Sequence, residues 1–158
     1  MSGVIGTQTL TQVGFIVKDV EKTKATWAAF LGVSAPPTVD GGRFEITGTQ
    51  VEGKPAPRAN CLMAFFDVGG SVQIELIQPN GEKSTWQDFL DRHGEGIHHI
   101  AFHTQGMDNK IAACERFGMT CVQRGKYGNG SGEYAYLAAD EQLKCLVELL
   151  ENYRQQCY

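Results

Sequence analysis

The order of apolar and polar positions predicts one arrangement of elements in the first half of the chain. From Leu10 to Val17, apolar and polar residues alternate loosely in a β-rich stretch, which is typical of a strand. Asp19 then offers an N-cap for an amphipathic helix that ends at Gly32. Three further strands are predicted, over 43–50, 60–68 and 72–78. The first half is therefore predicted to consist of a strand, a helix and three further strands.

The same order returns in the second half. A strand is predicted from Ile97 to Thr104 and a helix from about Met107 to Phe117, followed by strands near 119–124, 133–138 and 144–151. Neither half could cover both faces of its sheet alone, so we expect the two to pack side by side. The boundaries predict a single domain over 1–158, with module 1 at about 8–79, a linker helix at 80–96 and module 2 at about 97–152.

Composition narrows the function classes without selecting one. The chain has 158 residues, of which 42% are apolar and 20% charged, as in ordinary globular domains. A net charge of -4 without a basic run argues against nucleic acid or an anionic membrane as partner. Without an apolar run of roughly 20 residues or a signal-peptide pattern, we expect a cytoplasmic protein. The five cysteines include no Cys-x-x-Cys pair, which favours small buried side chains over a thiolate metal site. Four aromatic residues at helical spacing are predicted core residues: Trp27, Phe30, Trp86 and Phe117.

Four residues with metal-binding side chains occupy matched places in the two halves. Gln12 opens an apolar stretch that runs to Asp19, and His99 opens the equivalent stretch in the second half. Glu75 and Glu148 each interrupt an apolar strand further along their half. A repeat with polar atoms at equivalent positions is a way for two modules to build one shared site.

The chemistry of these side chains suits a divalent cation. Two carboxylates, an amide oxygen and an imidazole nitrogen are competent ligands for Zn²⁺, Mn²⁺, Co²⁺ or Ni²⁺, with positions left open for substrate. Burying Glu75 or Glu148 alone would cost several kcal/mol, and a cation between them would offset that cost. Taken singly, each glutamate could face solvent and His99 could be an ordinary core residue. Their joint placement favours the metal site.

These stretches resemble the vicinal oxygen chelate superfamily, which includes glyoxalases, methylmalonyl-CoA epimerases, extradiol dioxygenases and bleomycin-resistance proteins. The resemblance covers about 10–152 and is carried by four motifs, at 14–20, 73–79, 94–101 and 146–150. It implies an α+β fold in which paired βαβββ modules form a cupped mixed β-sheet. It also implies one divalent metal ion bound by Gln12, Glu75, His99 and Glu148. His98 should point to the opposite face of its strand and is excluded as a ligand.

The ligand types separate the members of this superfamily. Extradiol dioxygenases hold iron with two histidines and a carboxylate, whereas one histidine is present among these four positions. The Gln, Glu, His, Glu order matches glyoxalase I, but Ile16 and Pro79 stand where that enzyme contacts glutathione. The linker, over 75–99, resembles that of methylmalonyl-CoA epimerases. The resemblance thus implies a metal-dependent epimerase-like isomerase, with a glyoxalase I-type lactoylglutathione lyase as the alternative and a non-catalytic binding or resistance protein as the second alternative.

The implied chemistry is proton transfer next to a carbonyl, through an enediolate that the metal stabilises. Glu148 is the candidate base by resemblance, and the second acid/base is assigned to Glu45, with Glu52 as its competitor. An acyl-CoA, an α-hydroxycarbonyl compound or a thiohemiacetal is the expected small-molecule substrate, and a homodimer is the expected assembly. Two further hypotheses concern loops. Lys54 and Arg58 could meet an anionic tail, and Arg124, Lys126 and Tyr127, beside a glycine-rich loop, could form a lid over substrate.

Overall fold

Ten strands and five helices form within residues 3–153, which are the residues that the computed structural model describes. The strands are β1 (Leu10–Ile16), β2 (Val39–Asp40), β3 (Gln50–Val51), β4 (Lys54–Pro55), β5 (Cys61–Val68), β6 (Val72–Pro79), β7 (Gly96–His103), β8 (Thr120–Lys126), β9 (Gly132–Ala139) and β10 (Cys145–Asn152). The helices are α1 (Val20–Leu31), α2 (Phe44–Thr47), α3 (Thr85–His93), α4 (Met107–Arg116) and α5 (Asp140–Leu143).

All ten strands join one curled mixed sheet, and the two halves of the chain meet at its centre. The strand order is β2-β5-β6-β1-β7-β10-β9-β8-β3-β4. β1 and β7 pair antiparallel, and each has a parallel neighbour on its other side, β6 and β10 respectively. This is the glyoxalase-like α+β fold that the family resemblance implies. The strands that carry the four candidate ligands, β6, β1, β7 and β10, therefore lie side by side.

The strand predicted over 43–50 is wrong, because this stretch contains the short helix α2 instead. The alternation of Phe44 and Ile46 with polar residues imitates a strand, but Gly48 adopts a left-handed conformation (φ 54°) and ends a single helical turn. The chain then forms the β3–β4 hairpin, which pairs with β8 of the second half. Since β2 lies at the opposite edge of the sheet, the segment 39–55 connects the two edges.

The core consists of three apolar clusters. α1 covers one apolar cluster, α4 covers a second, and α3 contributes Trp86 to a third. Asp19 and Ser84 cap α1 and α3, each by accepting a backbone hydrogen bond, at 2.9 and 3.0 Å. Of the predicted core aromatics, Trp86 is buried, whereas Phe30 and Phe117 are 81% and 54% exposed and that prediction is wrong for them. Both lie at the ends of helices, beyond the face that packs on the sheet.

Two further expectations concern cysteines and membranes. Four cysteines are free thiols in the described part of the chain: Cys61, Cys114, Cys121 and Cys145. Cys157 lies outside the described residues. Over residues 3–153, no helix has the length and apolar character needed to cross a membrane.

Candidate metal centre

The fold brings three of the four predicted ligands into direct proximity. Glu75 lies on β6, His99 on β7 and Glu148 on β10, and all three are buried. His99 Nε2 lies 3.2 Å from Glu75 Oε2 and 3.0 Å from Glu148 Oε2. One ligand atom from each residue falls within 4.8 Å of the others, a spacing that could hold a metal ion.

Gln12, the fourth predicted ligand, is buried on β1 and lines the same cavity as Glu75 and Glu148. Its backbone pairs with Gln73 of β6 on one side and with Ala101 of β7 on the other. Its Nε2 donates a hydrogen bond to Gln73 Oε1 at 3.3 Å, and Gln73 Nε2 donates to Asp67 Oδ1 at 2.9 Å. Because Gln12 Nε2 is the donor in the first of these hydrogen bonds, Gln12 Oε1 is the side-chain atom left without a partner.

The unpaired buried atoms provide a test of whether these residues fit a metal. Within the described residues, four buried side-chain nitrogen or oxygen atoms have no hydrogen-bond partner. They are Gln12 Oε1, Glu75 Oε2, His99 Nε2 and Glu148 Oε2. The two carboxylate oxygens approach His99 Nε2 closely, yet without the directionality of a hydrogen bond. Each unpaired buried atom costs about 1–3 kcal/mol or more. A cation between Glu75, His99 and Glu148 would satisfy the three atoms whose spacing suits one ion, and Gln12 Oε1 is the further free donor. The donor set therefore fits a divalent ion.

The electrostatics of the metal-free centre follow from burial and close charges. Burial lowers the pKa of His99, but the neighbouring Glu148 and Glu75 carboxylates outweigh it and raise that pKa to about 10. Burial also raises the pKa of Glu75, opposed by its contact with His99. A protonated His99 thus compensates the carboxylates when no ion is bound, in the place that a metal cation would take.

Gly14 makes room for the His99 ring, a role that the sequence analysis missed. Gly14 pairs with His99 across the β1–β7 ladder, so the imidazole lies over the Gly14 backbone. A Cβ atom at Gly14 would lie 2.0 Å from His99 Cε1 and 2.5 Å from each ring nitrogen. A glycine inside an otherwise apolar strand is the signal that could have indicated such a close approach.

His98 does not point away from the centre, and the prediction that it faces the opposite side of β7 is wrong. The β1–β7 register shifts between Gly14, which pairs with His99, and Phe15, which pairs with Ile97. His98 is therefore the extra residue of a β-bulge, which turns its side chain toward that of His99. Its Nδ1 lies 3.0 Å from His99 Nδ1, and burial followed by the charge of His99 lowers the pKa of His98 to about 3.

A cavity of about 720 Å³ opens onto this centre. Gln12, Glu75 and Glu148 line it, and further walls come from the segment 39–49, from β5 and β6, and from the loop after β8. Five aromatic side chains also contribute: Phe65, Trp86, Tyr127, Tyr134 and Tyr136. A Cβ atom at Gly42 would lie 2.4 Å from Gly128 Cα, so the two walls contact each other through glycine backbones.

The remaining predicted site residues lie outside this cavity lining or at its rim. Glu45 is exposed on α2, Glu52 is exposed in the β3–β4 turn, and neither lines the cavity. Lys54 and Arg58 do not line it either, and Arg58 pairs with Glu82 at 3.3 Å. Of the proposed lid residues, Lys126 and Tyr127 line the cavity. Arg124 instead bridges Asp108 and Glu133, each at 2.9 Å.

Solved structures with the same fold include methylmalonyl-CoA epimerases. The enzyme from Mycobacterium tuberculosis superposes with a TM-score of 0.65 at 21% identity, over 92% of this chain and 88% of the other. The Streptomyces coelicolor enzyme, in complex with 2-nitronate-propionyl-CoA, gives 0.65 and 21% over 92% and 97%. A hypothetical protein from Bacillus halodurans gives 0.65 and 22% over 95% and 98%. At these identities the likeness establishes the fold.

Two relatives found by sequence are uncharacterized proteins. The uncharacterized protein YqjC of Bacillus subtilis is 33% identical over 90 residues, which cover 56% of this chain and 64% of the relative. An uncharacterized protein of Synechocystis sp. is 32% identical over 95 residues, covering 56% and 28%. The matched regions thus span less than two thirds of either relative. The family model for the Glyoxalase/Bleomycin resistance protein/Dioxygenase superfamily matches residues 11–136. That match covers most of the chain, which therefore belongs to this superfamily.

Proposed function

We propose that the protein is a divalent-metal-dependent isomerase of the epimerase type, which moves an α-proton next to a carbonyl group of a small-molecule substrate. The observation that carries the proposal is the set of four buried, unpaired donor atoms, three of which belong to residues that line the 720 Å³ cavity. Gln12, Glu75, His99 and Glu148 would hold Zn²⁺, Co²⁺, Mn²⁺ or Ni²⁺. When bound, the ion supplies Lewis-acid stabilisation of the negative charge that develops on two adjacent substrate oxygens.

Glu148 is the proposed base. Its carboxylate approaches His99 at 3.0 Å and also lines the cavity, so the same group borders both the metal centre and the substrate space. It removes the α-proton from one face of the substrate, while the walls around it keep bulk water from the carbanion that forms. Epimerisation needs a second acid/base on the other face of the substrate, because the proton must return to that face.

Glu45 is proposed as that second group, and its position sets the condition for the role. Glu45 is exposed on α2, within the segment that forms one wall of the cavity, and two residues before the cavity-lining Thr47. The role therefore requires α2 to turn toward bound substrate. Glu45→Gln should then lower kcat for epimerisation while leaving exchange through Glu148 measurable on one substrate enantiomer. Equal kcat in Glu45→Gln and wild type would reject Glu45.

The alternative functions differ in their demands on the cavity. A glutathione-dependent lyase would need contacts near positions 16 and 79, yet Ile16 and Pro79 are buried in the protein interior. This observation ranks the lyase below the epimerase. A purely binding protein would have no use for four unpaired donor atoms, which ranks it lower still. By resemblance we also propose a homodimer, which sedimentation equilibrium would test.

Deuterium exchange tests the proposed function directly. Protein loaded separately with Mn²⁺, Co²⁺, Ni²⁺ and Zn²⁺ is incubated in D₂O with methylmalonyl-CoA and with a set of α-hydroxycarbonyl compounds. Deuterium incorporation into each substrate is then measured by mass spectrometry. We expect deuterium at the α-carbon of at least one substrate, with no incorporation after chelation or in Glu148→Ala. Glu115→Ala, which changes an exposed carboxylate on α4, is the matched control. Thioester formation from methylglyoxal and glutathione would instead support the lyase, and turnover of neither type would reject both enzymes.

A further inference from the structure

Two adjacent histidine rings form a hydrogen-bonded chain between the candidate metal centre and the linker helix. His99 Nδ1 and His98 Nδ1 lie 3.0 Å apart, and His98 Nε2 lies 3.3 Å from the backbone oxygen of Thr85. Thr85 is the first residue of α3. Both rings are in the interior, since His98 and His99 are 2% and 0% exposed, and Thr85 is half-buried. The chain thus runs from His99 through His98 to the first turn of α3.

The direction of the two hydrogen bonds follows from what each atom can do. A backbone carbonyl oxygen only accepts, so His98 Nε2 must carry the proton that faces Thr85. A neutral His98 then has an unprotonated Nδ1, which accepts from His99. His99 Nδ1 must therefore be the donor. With its Nδ1 protonated in this way, neutral His99 has its lone pair on Nε2, the atom that faces Glu75 and Glu148.

We propose that His98 is a positioning residue that fixes the tautomer and ring orientation of His99, so that Nε2 of His99 is presented to a divalent metal. The inference rests on the proposed metal site. Ligating histidines characteristically donate their second ring N–H to a carboxylate, a carbonyl or water, which orients the ring and increases its basicity as a ligand. In this protein a second imidazole takes that place and passes the hydrogen bond on to the protein backbone.

The surroundings of His98 hold its ring in one orientation. Phe89 of α3 and Tyr136 of β9 each contact the ring edge to face, with centroids 5.2 Å away and interplanar angles of 85°. The backbone N–H and the hydroxyl of Thr85 both donate to Gln123 Oε1, at 2.8 and 3.1 Å, which fixes the end of the chain. The linker helix thereby becomes part of the support of the metal centre.

Three variants separate the hydrogen bond from packing. His98→Phe keeps a flat ring between Phe89 and Tyr136 but removes the acceptor for His99. His98→Gln restores one acceptor and one donor, which can bridge His99 and the Thr85 oxygen. His93→Phe is the control, because His93 is exposed on α3 and stacks on Phe89 at 4.9 Å without reaching His99. For each protein, the dissociation constants of Zn²⁺ and Mn²⁺ are measured by competition with a chromogenic chelator, and the thermal midpoint is recorded.

We expect His98→Phe to bind both ions about 10- to 100-fold more weakly, while His98→Gln and His93→Phe retain nearly wild-type affinity. Wild-type affinity in His98→Phe would overturn the proposal. So would equal losses in His98→Phe and His98→Gln, since restoring an acceptor for His99 would then not restore metal binding. An NMR measurement on the ¹⁵N-labelled, metal-free wild type tests the hydrogen bond without relying on metal binding. Scalar coupling between the two Nδ1 nitrogens is expected, and its absence in protein that is folded would also overturn the proposal. If wild type bound no metal, the proposed function would fail, and the coupling alone would decide whether His98 orients His99.

Discussion

Gly14→Ala is the change that most directly tests how the centre is built. Gly14 lies on β1 opposite His99, and the imidazole occupies the space where a side chain at position 14 would stand. The new Cβ would lie 2.0 Å from His99 Cε1, far inside the contact distance between two carbon atoms. Either the two central strands separate or the imidazole moves, and both changes displace Nε2 from the carboxylates.

The expected magnitude follows from these two routes. Forcing one methyl group into a packed interior costs about 1–3 kcal/mol of unfolding free energy. Moving His99 away leaves the buried carboxylates of Glu75 and Glu148 without their partner, which costs about 3–5 kcal/mol. The second route also takes away one of the four proposed ligands, so metal binding should weaken by at least the roughly 10- to 100-fold that loss of a ligand's orienting partner costs.

Urea unfolding and metal titration measure both effects in Gly14→Ala. Gly3→Ala is the matched control, because a Cβ at Gly3 meets no atom within 4 Å and Gly3 has no positive φ. We expect a lower unfolding free energy and much weaker metal binding in Gly14→Ala, with neither effect in Gly3→Ala. Wild-type metal affinity and wild-type stability in Gly14→Ala would refute the described packing of His99.

Three further changes test other parts of the structure. Tyr136→Phe removes the hydroxyl that accepts the Trp86 indole N–H hydrogen bond at 3.0 Å. The unfolding free energy measured by urea denaturation should fall by about 1–3 kcal/mol, and an unchanged urea midpoint would contradict this. Folding raises the pKa of His99 from 6.5 to about 10, so that its stabilising contribution is fully present below pH 6.5. The stability of metal-free protein should therefore fall as pH rises toward 10, and a flat profile would argue against the charged centre. Gln73→Leu removes the hydrogen bond that orients Gln12 and should weaken metal binding by about 10- to 100-fold in a chelator competition. Equal metal affinity in Gln73→Leu and wild type would show that this hydrogen bond does not support the metal centre.

The parts of the fold that could be predicted are those with a local signal. The caps at Asp19 and Ser84 and the apolar strands follow from hydrogen-bonding chemistry and periodicity of neighbouring residues. The approach of Glu75 to Glu148 could be predicted because equivalent strands of a repeat become close when the halves pair. The assignment of these residues as metal ligands stays a prediction.

The parts that could not be predicted depend on contacts between distant residues. The bulge at His98 exists because β1 and β7 pair with a shift in register, which a single strand does not reveal. The single turn of α2 replaces a strand because Gly48 takes a left-handed conformation, although Phe44 and Ile46 alternate as strand residues do. The pairing of β3 with β8 joins residues that are about 70 positions apart in sequence, so no local pattern indicates it.

The metal content of the purified protein tests the central claim most directly. The chain is prepared without chelator or nickel affinity resin, incubated with Mn²⁺, Co²⁺, Ni²⁺ and Zn²⁺, freed of excess ion and measured by elemental mass spectrometry. A centre built from Gln12, Glu75, His99 and Glu148 predicts about one divalent ion per chain in wild type and its loss in Glu148→Ala. Wild-type protein that retains none of the four ions would contradict the metal centre and the enzyme that we propose to depend on it.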